Sequence, residues 1–115
     1  MGDIKRTPKP KMLFEENMEA FNKMVAQGKA CDFSNQNLSD LDLRGFNLKN
    51  ANLSGAYLRG ANLGGQDLSG ANMHGASLKQ AGISGCLFPP DLPAEEIRLS
   101  VDMGTRMRHI PKHEE

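Results

Sequence analysis

A period of five residues runs through the middle of this chain, from residue 31 to residue 90. Twelve positions spaced five apart all hold a large apolar residue. These predicted core residues are Phe33, Leu38, Leu43, Leu48, Leu53, Leu58, Leu63, Leu68, Met73, Leu78, Ile83 and Phe88. A β-strand repeats every two residues and an α-helix every 3.6, so neither explains the spacing. The pattern predicts a chain that turns after each short segment and points one large side chain inward each time.

The residues around these centres follow the same period. Most residues two positions before a centre are small, Asn or Asp precedes the centre directly in eight of the twelve repeats, and Gly follows two positions later in seven. Small side chains fit an inner corner, Asn and Asp bond to nearby backbone, and Gly eases turns. Leu41 and Phe46 replace the usual small residue, and we expect them to plug the first coil. Gln36 and Gln66 stand at inward positions and need hydrogen-bond partners there.

Two repeats carry a recognisable motif, Ala-Asn-Leu-Ser-Gly at residues 51–55 and Ala-Asn-Leu-Gly-Gly at residues 61–65. They resemble the motif of the pentapeptide-repeat family, and the resemblance covers residues 31–90, about half of the chain. It implies a mainly β fold, a right-handed quadrilateral β-helix with one pentapeptide on each side. Twelve repeats then make three coils, and residues twenty apart lie above one another.

The flanks of the repeat region predict caps, which the open ends of a solenoid need. Residues 1–11 are expected to form a flexible basic arm, and residues 12–30 an N-terminal capping helix that Gly28 ends. Residues 31–90 form the predicted β-helix. Residues 91–115 are expected to form a short helix from Pro93 to Gly104, followed by a basic extended tail.

Charge and cysteine content favour a protein that meets neither nucleic acid nor membrane directly. The chain has 14 basic and 14 acidic residues, so its formal net charge is zero. It has neither an apolar run of membrane-spanning length nor a cleavable signal pattern at its start. Cys31 and Cys86 take inward small positions and read as buried free thiols, so we expect a reducing cytoplasmic setting.

Catalytic, metal and cofactor sites are not expected. His74 is an outward residue without a second ligand beside it, and Pro111 between His109 and His113 argues against a helical pair of metal ligands. The glycines form no phosphate-binding loop, and the serines that follow the centres have no paired base. We therefore expect a protein that is not an enzyme and that holds no cofactor.

Two groups of residues are candidates for an interaction surface. The first is the outward residues of the second side, Tyr57, Arg59 and Lys79, and the second is the tail pair Arg106 and Arg108. An exposed Tyr beside Arg is a common anchor at protein interfaces, and Arg binds phosphate or carboxylate well.

Three functions remain open. The first is a non-catalytic protein-protein interaction module or small scaffold with a protein partner, and self-association into a homodimer through a coil end or the tail is possible. The second is a DNA-mimicking regulator of topoisomerases such as gyrase, as the resemblance suggests. Against it, the four acidic residues of the repeats are balanced by four basic ones. The third is a sensor of a small anionic ligand that uses the Arg-rich tail.

Overall fold

The computed structural model describes residues 18–28 and 31–111. Two helices flank the repeat region: α1 spans Met18–Ala26 and α2 spans Ala94–Met103. Both lie within the stretches where the sequence predicts helix, although α2 begins one residue after Pro93, which takes the N-cap position. The predicted arm at residues 1–11, the beginning of the first capping helix and His113 lie outside the described residues.

Between the helices the chain turns every five residues, and twenty residues complete one four-sided coil. Neighbouring coils are joined by parallel bridges between residues twenty apart. The bridged pairs are Asp32–Asn52, Asn37–Tyr57, Asp42–Asn62, Asn52–Asn72, Tyr57–Ser77, Asn62–Gly82 and Asp67–Leu87. Within residues 18–28 and 31–111 these bridges are isolated and no continuous strand forms, because a turn begins two or three residues after each bridged position. The repeats therefore stack as expected, whereas the extended strands of a mainly β fold are absent from these described residues.

The turns are fixed by the Asn and Asp residues that precede each centre. The Oδ1 of Asn52 accepts a hydrogen bond from the amide of Ser54 at 3.0 Å, and the other repeats from Asp32 to Asn72 use the same bond wherever Asn or Asp is present. Gly55 shows why Gly is favoured two positions after a centre. Its φ is 69°, and a Cβ there would lie 2.1 Å from Asn35 Oδ1 on the coil below. The repeat motif thus encodes both the turn and the close approach of successive coils.

The core is the column of centre side chains. Ten of the twelve predicted core residues are buried, and the eight from Leu38 to Met73 have exposures of at most 1%. Ile83 and Phe88 depart from the prediction because they are only partly buried. Both lie on the third and fourth sides of the last coil, where no fourth coil stacks on them.

Inward polar and sulfur-containing residues fill the remaining corner positions. The amide Nε2 of Gln66 donates to the carbonyl oxygen of Leu43 at 2.5 Å, which satisfies the expected need for a partner. The Oε1 of Gln36 is buried and has no donor among the described residues. Cys31 and Cys86 are free thiols, as expected, but each is only partly buried. The Cys86 thiol donates to the carbonyl of Leu63, and burial raises the pKa of both thiols.

Helix α1 packs on the first coil through one aromatic cluster. Phe21 is 2% exposed, stacks on Phe33 at 6.0 Å between ring centroids and meets Phe46 edge-on at 5.5 Å. Phe46 is buried, in line with its predicted role as a plug. Asn22 of α1 bonds to the same turn: its Oδ1 accepts from the amide of Asn47 at 2.7 Å, and its Nδ2 donates to the carbonyl of Gly45 at 2.9 Å.

Helix α2 ends in a left-handed cap and returns the chain to the last coil. Gly104 has φ 80°, and its amide donates to the carbonyl of Ser100 at 2.8 Å. Such a residue closes a helix and reverses the chain direction. The extended segment after it, residues 105–111, lies across the third coil and buries Met107 completely.

Candidate functional site

The C-terminal segment takes the place of a fourth coil, and it covers the first two sides of the third coil. Four backbone amides of the third coil point away from the second coil, those of Met73, Gly75, Leu78 and Gln80. In that order they donate to His109 Nε2 (3.1 Å), the Met107 carbonyl (2.6 Å), the Ser100 hydroxyl (2.8 Å) and the Val101 carbonyl (2.9 Å). The amide of Met107 returns a bond to the Ala76 carbonyl at 3.0 Å. Since buried amides need acceptors, these contacts make the segment a cap.

His109 is a structural residue of this cap. Its Nε2 accepts from the amide of Met73, and its Nδ1 donates to a carboxylate oxygen of Asp91 at 2.8 Å. Because a backbone amide can only donate, the proton of the neutral ring must stand on Nδ1. Both nitrogens are therefore occupied, and neither is free to transfer a proton or to bind a metal. His74 lies beside it, with 6.4 Å between ring centroids.

The tail also brings Arg106 onto the second side of the solenoid. The guanidinium carbon lies 4.7 Å from the centroid of the Tyr57 ring, within the range of a cation–π contact. Its Nη2 donates to the Tyr57 hydroxyl and its Nη1 to the carbonyl of Gly75 at 2.7 Å. Tyr57 remains 44% exposed. Two residues 49 positions apart thus form one exposed aromatic and cationic unit.

Arg59 and Lys79 flank this unit on adjacent coils, since the amide of Gly60 donates to the carbonyl of Lys79 at 2.9 Å. The Nζ of Lys79 donates to the carbonyl of Asp102 near the end of α2 at 3.1 Å. Its stem passes Gly104, where a Cβ would lie 3.3 Å from Lys79 Cδ. Arg59 is exposed and forms no ion pair with any described residue.

We call Tyr57, Arg59, Lys79 and Arg106 the second-side patch. The structure brings these four predicted surface residues together, but the fifth, Arg108, is engaged elsewhere. Its Nη2 donates to Glu96 Oε2 at 2.7 Å, and its amide donates to Glu96 Oε1 at 2.9 Å. The hydrogen bond from the guanidinium holds the pKa of Glu96 below its usual value. Arg108 therefore links the tail to α2, and its positive charge is paired with the Glu96 carboxylate.

Basic residues on the third and fourth sides are paired with acids. Arg44 forms a two-point ion pair with Asp42, which holds the pKa of that carboxyl at about 2. On the fourth side Lys49 lies 3.8 Å from a carboxylate oxygen of Asp67 on the next coil. These acidic groups are matched by bases, so they do not form the continuous acidic surface that DNA mimicry requires.

The described part of the chain shows no other arrangement typical of a ligand site. It contains no cluster of three potential metal ligands, and its helices are too short and too polar to cross a bilayer. An open groove lies between the third coil and the tail, lined by Asn72, His74, Pro89, His109 and Pro111 among others.

Sequence reasoning missed the residues that build the cap, chiefly Ser100, Glu96 and His109. They lie after residue 90, outside the five-residue period, so the repeat gives no signal for them. Asn22 was missed as well. The available signals are a serine on the apolar stripe of α2 and a tail in which Met107 stands between Arg106 and Arg108.

Comparison with known proteins shows a family and a similar solved structure. A family profile described as pentapeptide repeats matches in eight copies, over residues 29–65 and 47–88. A pentapeptide repeat protein from the thylakoid lumen of Arabidopsis thaliana is 38% identical, over 50% of this chain and 44% of that chain, with a TM-score of 0.26. The match thus spans less than half of that protein's length. No curated protein matches this chain in sequence.

Proposed function

This chain belongs to the pentapeptide-repeat family, and we propose that it is a non-catalytic protein-interaction module whose contact surface is the second-side patch. The family further implies that the stacked coils form a right-handed β-helix, and we include that handedness in the proposal. The match from residue 29 to residue 88 supports the repeat frame. The patch supports the function.

The observation that carries the proposal is the docking of Arg106 on Tyr57. The two hydrogen bonds of the guanidinium and its position over the ring hold both side chains in place before any partner arrives. An anchor that is already ordered loses little entropy on binding. Tyr and Arg are also the residue types that most often dominate the energy of protein interfaces. A partly exposed, preordered Tyr–Arg unit on a rigid frame favours recognition of a protein.

The chemistry of the described side chains supports the absence of catalysis. Both ring nitrogens of His109 are bonded within the fold. The hydroxyl of Ser54 donates to the turn residue Asn52, and burial raises the pKa of the Cys31 and Cys86 thiols, which disfavours the thiolate form. Reactive cysteines need the opposite shift.

The test is a comparison of three tagged full-length proteins by affinity capture from the source cells. The first is the natural chain. The second carries Tyr57→Ser, which copies Ser77 at the equivalent position of the next coil and therefore suits the repeat. The third carries Lys49→Ser, a matched control on the fourth side. Circular dichroism melts first establish that all three fold.

We expect one or more proteins to bind the natural chain and the Lys49→Ser control but not Tyr57→Ser. Purified partner should then bind with an affinity at least tenfold weaker to Tyr57→Ser in calorimetry, the loss typical of an interface anchor. If no protein is enriched above the tag alone, or if Tyr57→Ser retains every captured protein, the patch is not the contact surface.

A further inference from the structure

The second-side patch carries positive charge that the fold does not compensate. On the third side, the base that follows a centre is matched by the acid that precedes the same centre, as Asp42 matches Arg44 at 2.8 Å. On the second side the equivalent acidic positions hold Tyr57 and Ser77. Arg59 and Lys79 therefore lack the neighbouring carboxylate that Arg44 has.

Adjacent coils place these two bases close together. The backbone bond from Gly60 to Lys79 fixes Arg59 and Lys79 in register on neighbouring rungs, and rungs of parallel backbone are about 4.8 Å apart. Like charges on neighbouring rungs repel each other. Such an arrangement costs stability within the protein, and a carboxylate placed between the two side chains would remove that cost.

The third cation of the patch is also uncompensated. Arg106 donates to the Tyr57 hydroxyl and the Gly75 carbonyl, and Lys79 donates to the Asp102 carbonyl, so all three acceptors are uncharged. Asp40 and Asp102 are the acidic residues closest to the patch in sequence and in coil register. Among the described residues, neither carboxylate forms an ion pair with a base of the patch.

We infer that the second-side patch binds an acidic, extended segment of a protein partner, with Arg59 and Lys79 contacting its carboxylates and the Tyr57–Arg106 unit packing against the neighbouring residue. This inference rests on the proposed function and specifies the chemistry of the partner. An extended chain places alternate side chains about 6.6 Å apart. Two acidic side chains of one such segment therefore reach bases on neighbouring rungs without a bend.

The probe is an acetylated hexaglutamate peptide, titrated at low salt and followed by nuclear magnetic resonance shifts of the backbone amides. The test variant is Arg59→Ser with Lys79→Ser, and the matched control is Arg44→Ser with Lys49→Ser. All four positions directly follow a centre, where serine occurs in other repeats, and both variants lose the same net charge. Any difference between them therefore comes from the place of the charge.

We expect shifts concentrated around residues 57–60 and 77–80. The dissociation constant should be about tenfold higher for the test variant, since each exposed ion pair contributes an effect of up to about fivefold. The control should lose no more than twofold. Equal losses in the two variants, or binding that does not weaken with added salt, would overturn the inference. Tighter binding of oligothymidine than of hexaglutamate would also overturn it and would indicate a nucleic-acid surface.

The outcome separates this inference from the proposed function. If the partner captured from cells is lost with Tyr57→Ser but retained by the Arg59→Ser, Lys79→Ser variant, the patch is a protein-binding surface whose partner is not recognised through acidic groups. If both variants retain every partner, the proposed function itself fails.

Discussion

Removal of one hydroxyl group, in Ser100→Ala, tests whether the C-terminal segment substitutes for a missing coil. The Ser100 side chain is fully buried, its Oγ accepts from the amide of Leu78 at 2.8 Å, and it donates to the carbonyl of Thr105 at 2.6 Å. Alanine removes the acceptor and leaves the Leu78 amide buried without a partner. The neighbouring coil supplies carbonyl groups for equivalent amides lower in the stack, such as that of Leu58.

The magnitude follows from these contacts. A buried amide left without an acceptor costs about 1–3 kcal/mol. The exposed Thr105 carbonyl can bond to water instead, which adds little, and the better helix propensity of alanine returns about 0.5 kcal/mol. The free energy of unfolding should therefore fall by roughly 0.5–2.5 kcal/mol. For a domain of this length that corresponds to a decrease in Tm of roughly 2–10 °C.

Two measurements check this prediction. Calorimetry gives the decrease in Tm, with Ser84→Ala, a serine on the exposed third side, as the matched control expected within about 0.5 kcal/mol of the natural protein. Hydrogen exchange should then show faster exchange at the Leu78 amide and unchanged local protection at Leu58 in the middle coil. A Tm equal to that of the control, with slow exchange at Leu78, would refute the idea that Ser100 replaces a backbone acceptor.

Three further perturbations follow from the same contacts. Leu58→Ala, at a fully buried centre of the middle coil, should lower the free energy of unfolding by about 2–5 kcal/mol in urea melts; a loss below about 1 kcal/mol would contradict the stacked core. Phe21→Ala should cost about 3–5 kcal/mol and release α1, seen as faster amide exchange in Met18–Ala26, whereas Glu19→Ala on the exposed side should not. Glu96 has a lowered pKa because Arg108 bonds to its charged form. Its stabilising contribution should therefore be complete above the ordinary carboxyl pKa near 4 and be lost as the pH falls further. In thermal melts, Glu96→Gln should reduce the decrease in Tm that occurs below about pH 4. An unchanged decrease in Tm would show that the contact does not contribute to stability.

The five-residue period predicts the inside of the solenoid because each repeat meets the same neighbours. Each centre Leu from 38 to 68 is buried, because a neighbouring coil covers it. Ile83 and Phe88 have the same sequence pattern but a different environment, because nothing in the repeat tells what lies above the last coil. The pattern encodes the direction of a side chain, and burial also depends on the next element.

The caps were less predictable because their bonds join residues far apart in the chain. The helix over Met18–Ala26 follows from its apolar spacing, but the two hydrogen bonds of Asn22 depend on where that helix meets the first coil. The tail is a stronger case, since His109 bonds to Met73 across 36 residues. Sequence reasoning treated this histidine as an incidental part of a basic tail, because no local period links it to the repeats. The proximity of Tyr57, Arg59 and Lys79 was predictable because outward positions of one side share a register, whereas the docking of Arg106 on Tyr57 was not.

The cap and the second-side patch occupy the same half of the molecule. The C-terminal segment satisfies the amides of residues 73–80, on the first two sides of the third coil, whereas the amides of Ile83 and Gly85 have no acceptor among the described residues. Leu87, on the fourth side, is 60% exposed. Local opening is easiest where backbone hydrogen bonds are missing and apolar contacts are few. The third and fourth sides of the last coil should therefore open first, while Tyr57, Lys79 and Arg106 are held by the capped half. The proposed contact surface thus lies beside the part of the end that the chain itself closes.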